Sequence, residues 1–165
     1  MTDKEISGFA VRITQGSRTA LAAITMEIAR TYLGDAMAAV DESAAADKDT
    51  DECAARYVKA VGCASRCVDN LITSLDLTQS ISKELLVIYQ YMKNSLRQLK
   101  RKPDKDMLLV LSRMFDRLGK AFDEVAGQDK SGPMMANTQK VYAGLTYGQG
   151  TLNETCDNIN RGFFA

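Results

Sequence analysis

The chain has 165 residues, 21 Lys+Arg against 21 Asp+Glu, no histidine, no tryptophan and two prolines. One folded domain is expected at this length, and the 45% hydrophobic and 25% charged fractions are those of a globular chain rather than a disordered one. Without histidine there is no Ser-His-Asp or Cys-His relay and no His-ligated zinc or di-iron centre, and the balanced charge lacks the global attraction that nucleic-acid binders use.

Residues 1–16 read as a short helix or extended arm with Ile6, Phe9, Val11 and Ile13 as its apolar residues. The start has no basic stretch followed by an apolar run, so no signal peptide is expected. A first long helix is predicted from about Ser17, a good N-cap, to Glu42. It carries two apolar stripes, Leu21, Ile24, Ile28, Tyr32 and Met26, Leu33, Met37, Val40, which implies burial on more than one side.

A second helix is predicted over about Asp51–Leu75, with Asp49 and Glu52 at capping-box spacing and a stripe of Tyr57, Val61, Ala64, Val68, Leu71, Ile72 and Leu75. A third is predicted over Ser80–Lys100, with Ile81, Leu85, Ile88, Tyr89, Met92, Leu96 and Leu99 at 3-4 spacing. A fourth is predicted to begin at Pro103 as its first helical residue and to stop at Gly127. Its stripe is Leu108, Leu111, Met114, Phe115, Leu118, Phe122 and Val125. Four such helices with short connections predict an all-α fold, an antiparallel up-down four-helix bundle over 17–128. Residues 129–165 keep no period and read as an irregular, Gly- and Asn-rich tail carrying Tyr142, Leu145, Tyr147, Phe163 and Phe164.

The chemistry-bearing patterns are few. Cys63 and Cys67 share a helix face but lack C-x-x-C spacing, so the cysteines are expected as reduced, near-core residues rather than a metal or redox centre. Gly144, Gly148 and Gly150 follow no strand and match no phosphate loop. Lys100, Arg101 and Lys102 read as a solvated loop beside a helix C-terminus. No catalytic constellation, cofactor or metal site is expected, and a binding role is.

The helices hold more apolar positions than one seam needs. Met26, Leu33 and Met37, then Leu86, then Leu109 and Val110 are surplus, and eight methionines supply adaptable apolar surface. Such positions suit a groove for an amphipathic partner helix, covered in the free protein by the arm or the tail.

Within the third helix, Ile88-Tyr89-Gln90-Tyr91-Met92 followed by Leu96, with Leu75-Asp76 and Ile81 before it, resembles the flagellar secretion chaperone family FliS. That family has a Leu-Tyr-x-Tyr-Met motif at this place. Ser17-Arg18-Thr19-Ala20-Leu21 occupies the family's Thr-Ala-Ser-Pro-x-x-Leu segment with Arg18 in place of proline, and the family's Tyr-Asp-Gly run is absent near Glu27. The resemblance spans about residues 9–125. It implies a cytoplasmic bacterial carrier that binds the C-terminal segment of flagellin in apolar grooves, prevents premature polymerisation and assists type III export without a cofactor. A co-chaperone or adaptor of the same fold, binding another export substrate or the chaperone itself, is the alternative.

On that reading the groove candidates are Met26, Leu33, Met37, Leu71, Leu75, Leu86, Tyr89, Tyr91, Met92, Leu109 and Val110. The displaceable cover is drawn from Ile6, Phe9, Ile13, Tyr142, Leu145 and Tyr147. Flagellin and export-apparatus components are the implied partners, with no nucleic acid or stable membrane insertion, and the chain is read as a monomer or homodimer.

Overall fold

The computed structural model describes residues 2–45 and 50–134. They form five helices and no strand: α1 (Asp3–Gln15), α2 (Arg18–Ala44), α3 (Thr50–Thr73), α4 (Ser80–Arg101) and α5 (Lys105–Ala126). The expected all-helical class is therefore observed, and the N-terminal arm is a helix in its own right.

The helix ends have local causes. Thr2 and Glu5 make a capping box on α1, with the Thr2 N–H donating to Glu5 Oε2 at 2.6 Å and the Glu5 N–H donating to Thr2 Oγ1 at 3.4 Å. Ser17 caps α2 as its position suggests, accepting from the Ala20 N–H at 3.3 Å. The last helix starts later than expected. Asp104, not Pro103, organises its first turn, accepting from the Asp106 and Met107 N–H groups at 3.0 and 3.1 Å. Pro103 stands before the cap, in extended chain that a proline tolerates. Gly127 ends α5 as its sequence predicts. Asp49 of the suggested capping box lies outside the described residues.

One core joins α2, α3, α4 and α5. Met26, Leu33, Val61, Val68, Tyr89, Met92, Leu96, Leu99, Leu108, Leu111 and Phe115 are its large fully buried members. Neighbours along the chain or across α2 run antiparallel: Arg56 near the start of α3 pairs with Glu42 near the end of α2 at 2.7 Å. Lys105 at the start of α5 pairs with Asp41 at 2.6 Å, and Asp116 further along pairs with Arg30 at 2.5 Å.

Residue size sets the spacing. The inner face of α2 is built largely of Ala23, Ala29, Ala36 and Ala39, so α3 and α5 approach it closely. At Gly119 of α5 an added Cβ would lie 3.7 Å from Cβ of Met26. The two stripes on α2 follow from its place between α3 and α5. Helices α4 and α5 approach each other much less closely.

Candidate functional site

Exposed large apolar side chains occur on several helices, Val11 on α1, Val58 on α3 and Val87 on α4 among them, and the wider α4–α5 interface gathers a group of them. Helical phase identifies the flanks involved, at about 100° per residue. Lys93 pairs with Asp69 of α3, so the flank of α4 bearing Lys93 faces α3. Asp116 and Gly119 mark the flank of α5 that faces α2. The opposite flanks border the α4–α5 seam: Ile81, Ile88 and Tyr91 on α4, and Val110, Met114 and Val125 on α5.

These side chains form a gradient from core to solvent. Ile88 and Met114 are half-buried and pack on the core. Ile81 is 58% exposed, Val125 56%, Tyr91 49% and Val110 43%. Leu77, in the turn before α4, is 53% exposed near the same end. Val110, Arg113, Met114 and Arg117 line a depression of about 250 Å3 on α5, so two guanidinium groups flank the apolar strip. A strip of this kind suits an amphipathic helix, whose apolar face replaces water on the exposed side chains at roughly 25 cal/mol per Å2 of apolar area buried.

The residues singled out from the sequence separate on this map. Tyr91, Leu109 and Val110 are exposed, and Tyr91 and Val110 border the seam. Met37, Leu75 and Leu86 are half-buried. Met26, Leu33, Leu71, Tyr89 and Met92 lie in the core, at 3% exposure or less, and are not groove surface in this structure. Met26 and Leu33 are surplus to one seam but not to the two-sided burial that the paired stripes of α2 imply, and the two sides are those facing α3 and α5. Conversely, Ile81, Ile88, Met114 and Val125 fall on the apolar stripes of their helices, where the sequence predicts core packing. They are the stripe edges, and an unusually wide stripe is the signal that marks them.

The proposed cover also separates. Helix α1 runs back along the outer face of α2. Phe9 is buried there, Ile13 is half-buried, and Arg12 pairs with Glu27 at 2.7 Å while lying 5.7 Å from the Phe9 ring centroid. Ile6 reaches the rim of a depression shared with Tyr32 and Cys63. Helix α1 thus lies against α2, on the side of the core away from the α4–α5 seam. Tyr142, Leu145 and Tyr147 lie outside the described residues.

The side chains near the seam offer apolar contact rather than proton transfer. Burial pushes the Tyr89 hydroxyl up to about 12, so the motif tyrosine in the core stays un-ionised. No group of three or more His, Cys, Asp or Glu side chains is placed to hold a metal ion among the described residues. No helix among them is long and apolar enough to cross a membrane.

Residues 8–129 match a family model described as flagellar protein FliS. The matched span takes in most of α1, all of α2 to α5, and ends at Asp129. A comparison with curated proteins gives no match.

Proposed function

The chain belongs to the FliS family of flagellar proteins, and from that premise we propose that it is an export chaperone binding the C-terminal segment of flagellin in the bacterial cytoplasm. The four long helices act as an antiparallel up-down bundle, a carrier with no chemical step. The observation that carries this reading is the open apolar seam of α4 and α5, where Ile81, Tyr91, Val110 and Val125 stand exposed beside the core.

The mechanism is competition for apolar surface. Flagellin's C-terminal segment is taken up as a helix whose apolar face covers the seam. That face is then hidden from other flagellin molecules, and filaments do not nucleate before export. Affinity comes from apolar burial less the cost of ordering the segment, about 2–5 kcal/mol for a coupled folding event. Helix α1, fixed to α2 by Phe9 and the Arg12–Glu27 pair, covers a second apolar patch that a longer cargo segment uses when α1 is displaced.

The test is co-elution of the purified chain with monomeric flagellin, followed by titration of a flagellin C-terminal peptide. Wild type binds, and the doubly substituted Tyr91→Asp/Val110→Asp chain binds at least about tenfold more weakly while keeping its helical circular dichroism. Failure of the wild type to bind flagellin, or to delay its polymerisation, overturns the reading.

A further inference from the structure

On the reading of the α4–α5 seam as the cargo groove, we infer that the helix it takes carries two carboxylates one turn apart beside its apolar face, and that Arg113 and Arg117 select for them. The two arginines stand four residues apart on α5, about 6 Å along the axis at 1.5 Å per residue. Both are exposed, and both line the depression of about 250 Å3 with Val110 and Met114. They therefore share one edge of the apolar strip.

Neither arginine is paired within the chain. Like charges at this spacing repel each other on a helix, and no ion pair joins Arg113 or Arg117 to a carboxylate among the described residues. Arg12, Arg30 and Arg56, by contrast, each hold a carboxylate at 2.7 Å or less. The acid nearest in sequence, Asp116, lies on the α2 flank and is held by Arg30 and Lys120 at 2.5 and 2.7 Å. Asp106 and Glu124, each seven residues away on the same side of α5, bound the positive stretch. Glu84, between Ile81 and Ile88 on α4, adds a negative charge toward the far end of the seam. The favourable place for the cargo's acids is thus confined to the level of Val110 and Met114.

Two carboxylates at i and i+4 of a cargo helix have the spacing of the two guanidinium groups, and each guanidinium fork accepts a carboxylate. The arginine stems lie along the apolar edge while their heads reach the cargo's polar flank. Covering the strip also removes water beside the pairs, which strengthens them relative to free surface pairs. Apolar burial then supplies most of the affinity, and the arginine pair sets which helix is taken and where along the seam it sits.

The test uses three synthetic amphipathic helical peptides with one leucine face, identical except that two flank positions at i and i+4 are both Glu, both Gln or both Lys. Each is titrated into the full chain by fluorescence anisotropy at low salt. The Glu peptide binds about fivefold more tightly than the Gln peptide, the Lys peptide binds weakest, and the differences shrink in high salt. Arg113→Glu/Arg117→Glu inverts the order. Arg97→Glu/Arg101→Glu, an exposed pair at the same spacing on another face of α4, changes the net charge equally and leaves the order as in wild type. All four arginines are exposed, so the core is untouched, and circular dichroism checks the fold. No binding of any peptide, equal binding of the three, or an order that the Arg113/Arg117 reversal leaves unmoved overturns the proposal. Flagellin takes no part in these titrations, so a chain that prefers the Glu peptide yet fails to bind flagellin loses only the cargo assignment.

Discussion

The hydroxyl of Tyr57 donates to the carbonyl oxygen of Leu99 at 2.9 Å, and both residues are buried. In a continuing helix that carbonyl would accept from the N–H of residue 103, which is a proline and has none. Tyr57 of α3 therefore supplies the donor that the sequence removed from the end of α4. Tyr57→Phe leaves the carbonyl without it, at a cost of about 1–3 kcal/mol. The check is the urea midpoint of the variant against wild type, with an unchanged midpoint showing that water replaces the hydroxyl.

Small residues on α2 set the spacing of the bundle. Ala36 is fully buried, whereas Ala38, two residues on, is exposed. Ala36→Leu overfills the interface and destabilises by about 1–3 kcal/mol. Ala38→Leu stays within about 0.5 kcal/mol of wild type. Thermal melts of the pair separate a packing effect from a helix-propensity effect.

At the other end of the molecule, Asp129 ties the chain leaving α5 to the start of α2. Its carboxylate accepts from the Ser131 N–H and the Thr19 hydroxyl, each at 2.9 Å. Hydrogen bonds from Ser131, then from Thr19 and Ser17, hold it well below the usual carboxylate range. Its folded value lies below its unfolded one, so its contribution is present above about pH 4 and fades as pH falls below that. Asp129→Asn should lower the melting temperature at neutral pH and flatten its fall under acid. A parallel acid limb in the variant would assign that limb to other carboxylates.

Alkaline conditions test the core tyrosine. Burial raises Tyr89 to about 12, while tyrosine in the unfolded chain ionises near about 10. The folded value is the higher, so stability is full below about pH 10 and is lost as pH rises toward 12. Tyr89→Phe should show a shallower alkaline loss in thermal melts across that range. If its loss matches that of wild type, another group is responsible.

Helix α1 should open separately from the core. Phe9 is buried but lies outside the cluster shared by α2 to α5. Phe9→Ala therefore speeds trypsin cleavage after Arg12 several-fold with little change in global melting, because the opening is local. Cleavage that accelerates only in proportion to a lower melting temperature would instead make α1 part of the cooperative unit.

Much of the fold is legible in the sequence because its signals are local. Ser17 and Gly127 act as caps within one turn of chain, and the stripes on α3, α4 and α5 follow from a 3.6-residue period. The same period cannot say which edge of a stripe meets a neighbour. Tyr89 and Ile88 are adjacent in the motif, yet one is fully buried and the other half-buried at the seam. The two stripes of α2 imply burial on two sides, but only the packing shows that Met26 and Leu33 lie in the core rather than on a groove, with α3 and α5 as the neighbours. The helical class, most boundaries and the absence of a histidine-based catalytic apparatus were determined by the sequence alone. The tertiary structure decided the open α4–α5 seam, the place of α1 and the Tyr57–Leu99 bond. Those depend on which helices become neighbours and how closely they approach: rows of alanine draw α3 and α5 onto α2, and longer side chains leave α4 and α5 apart.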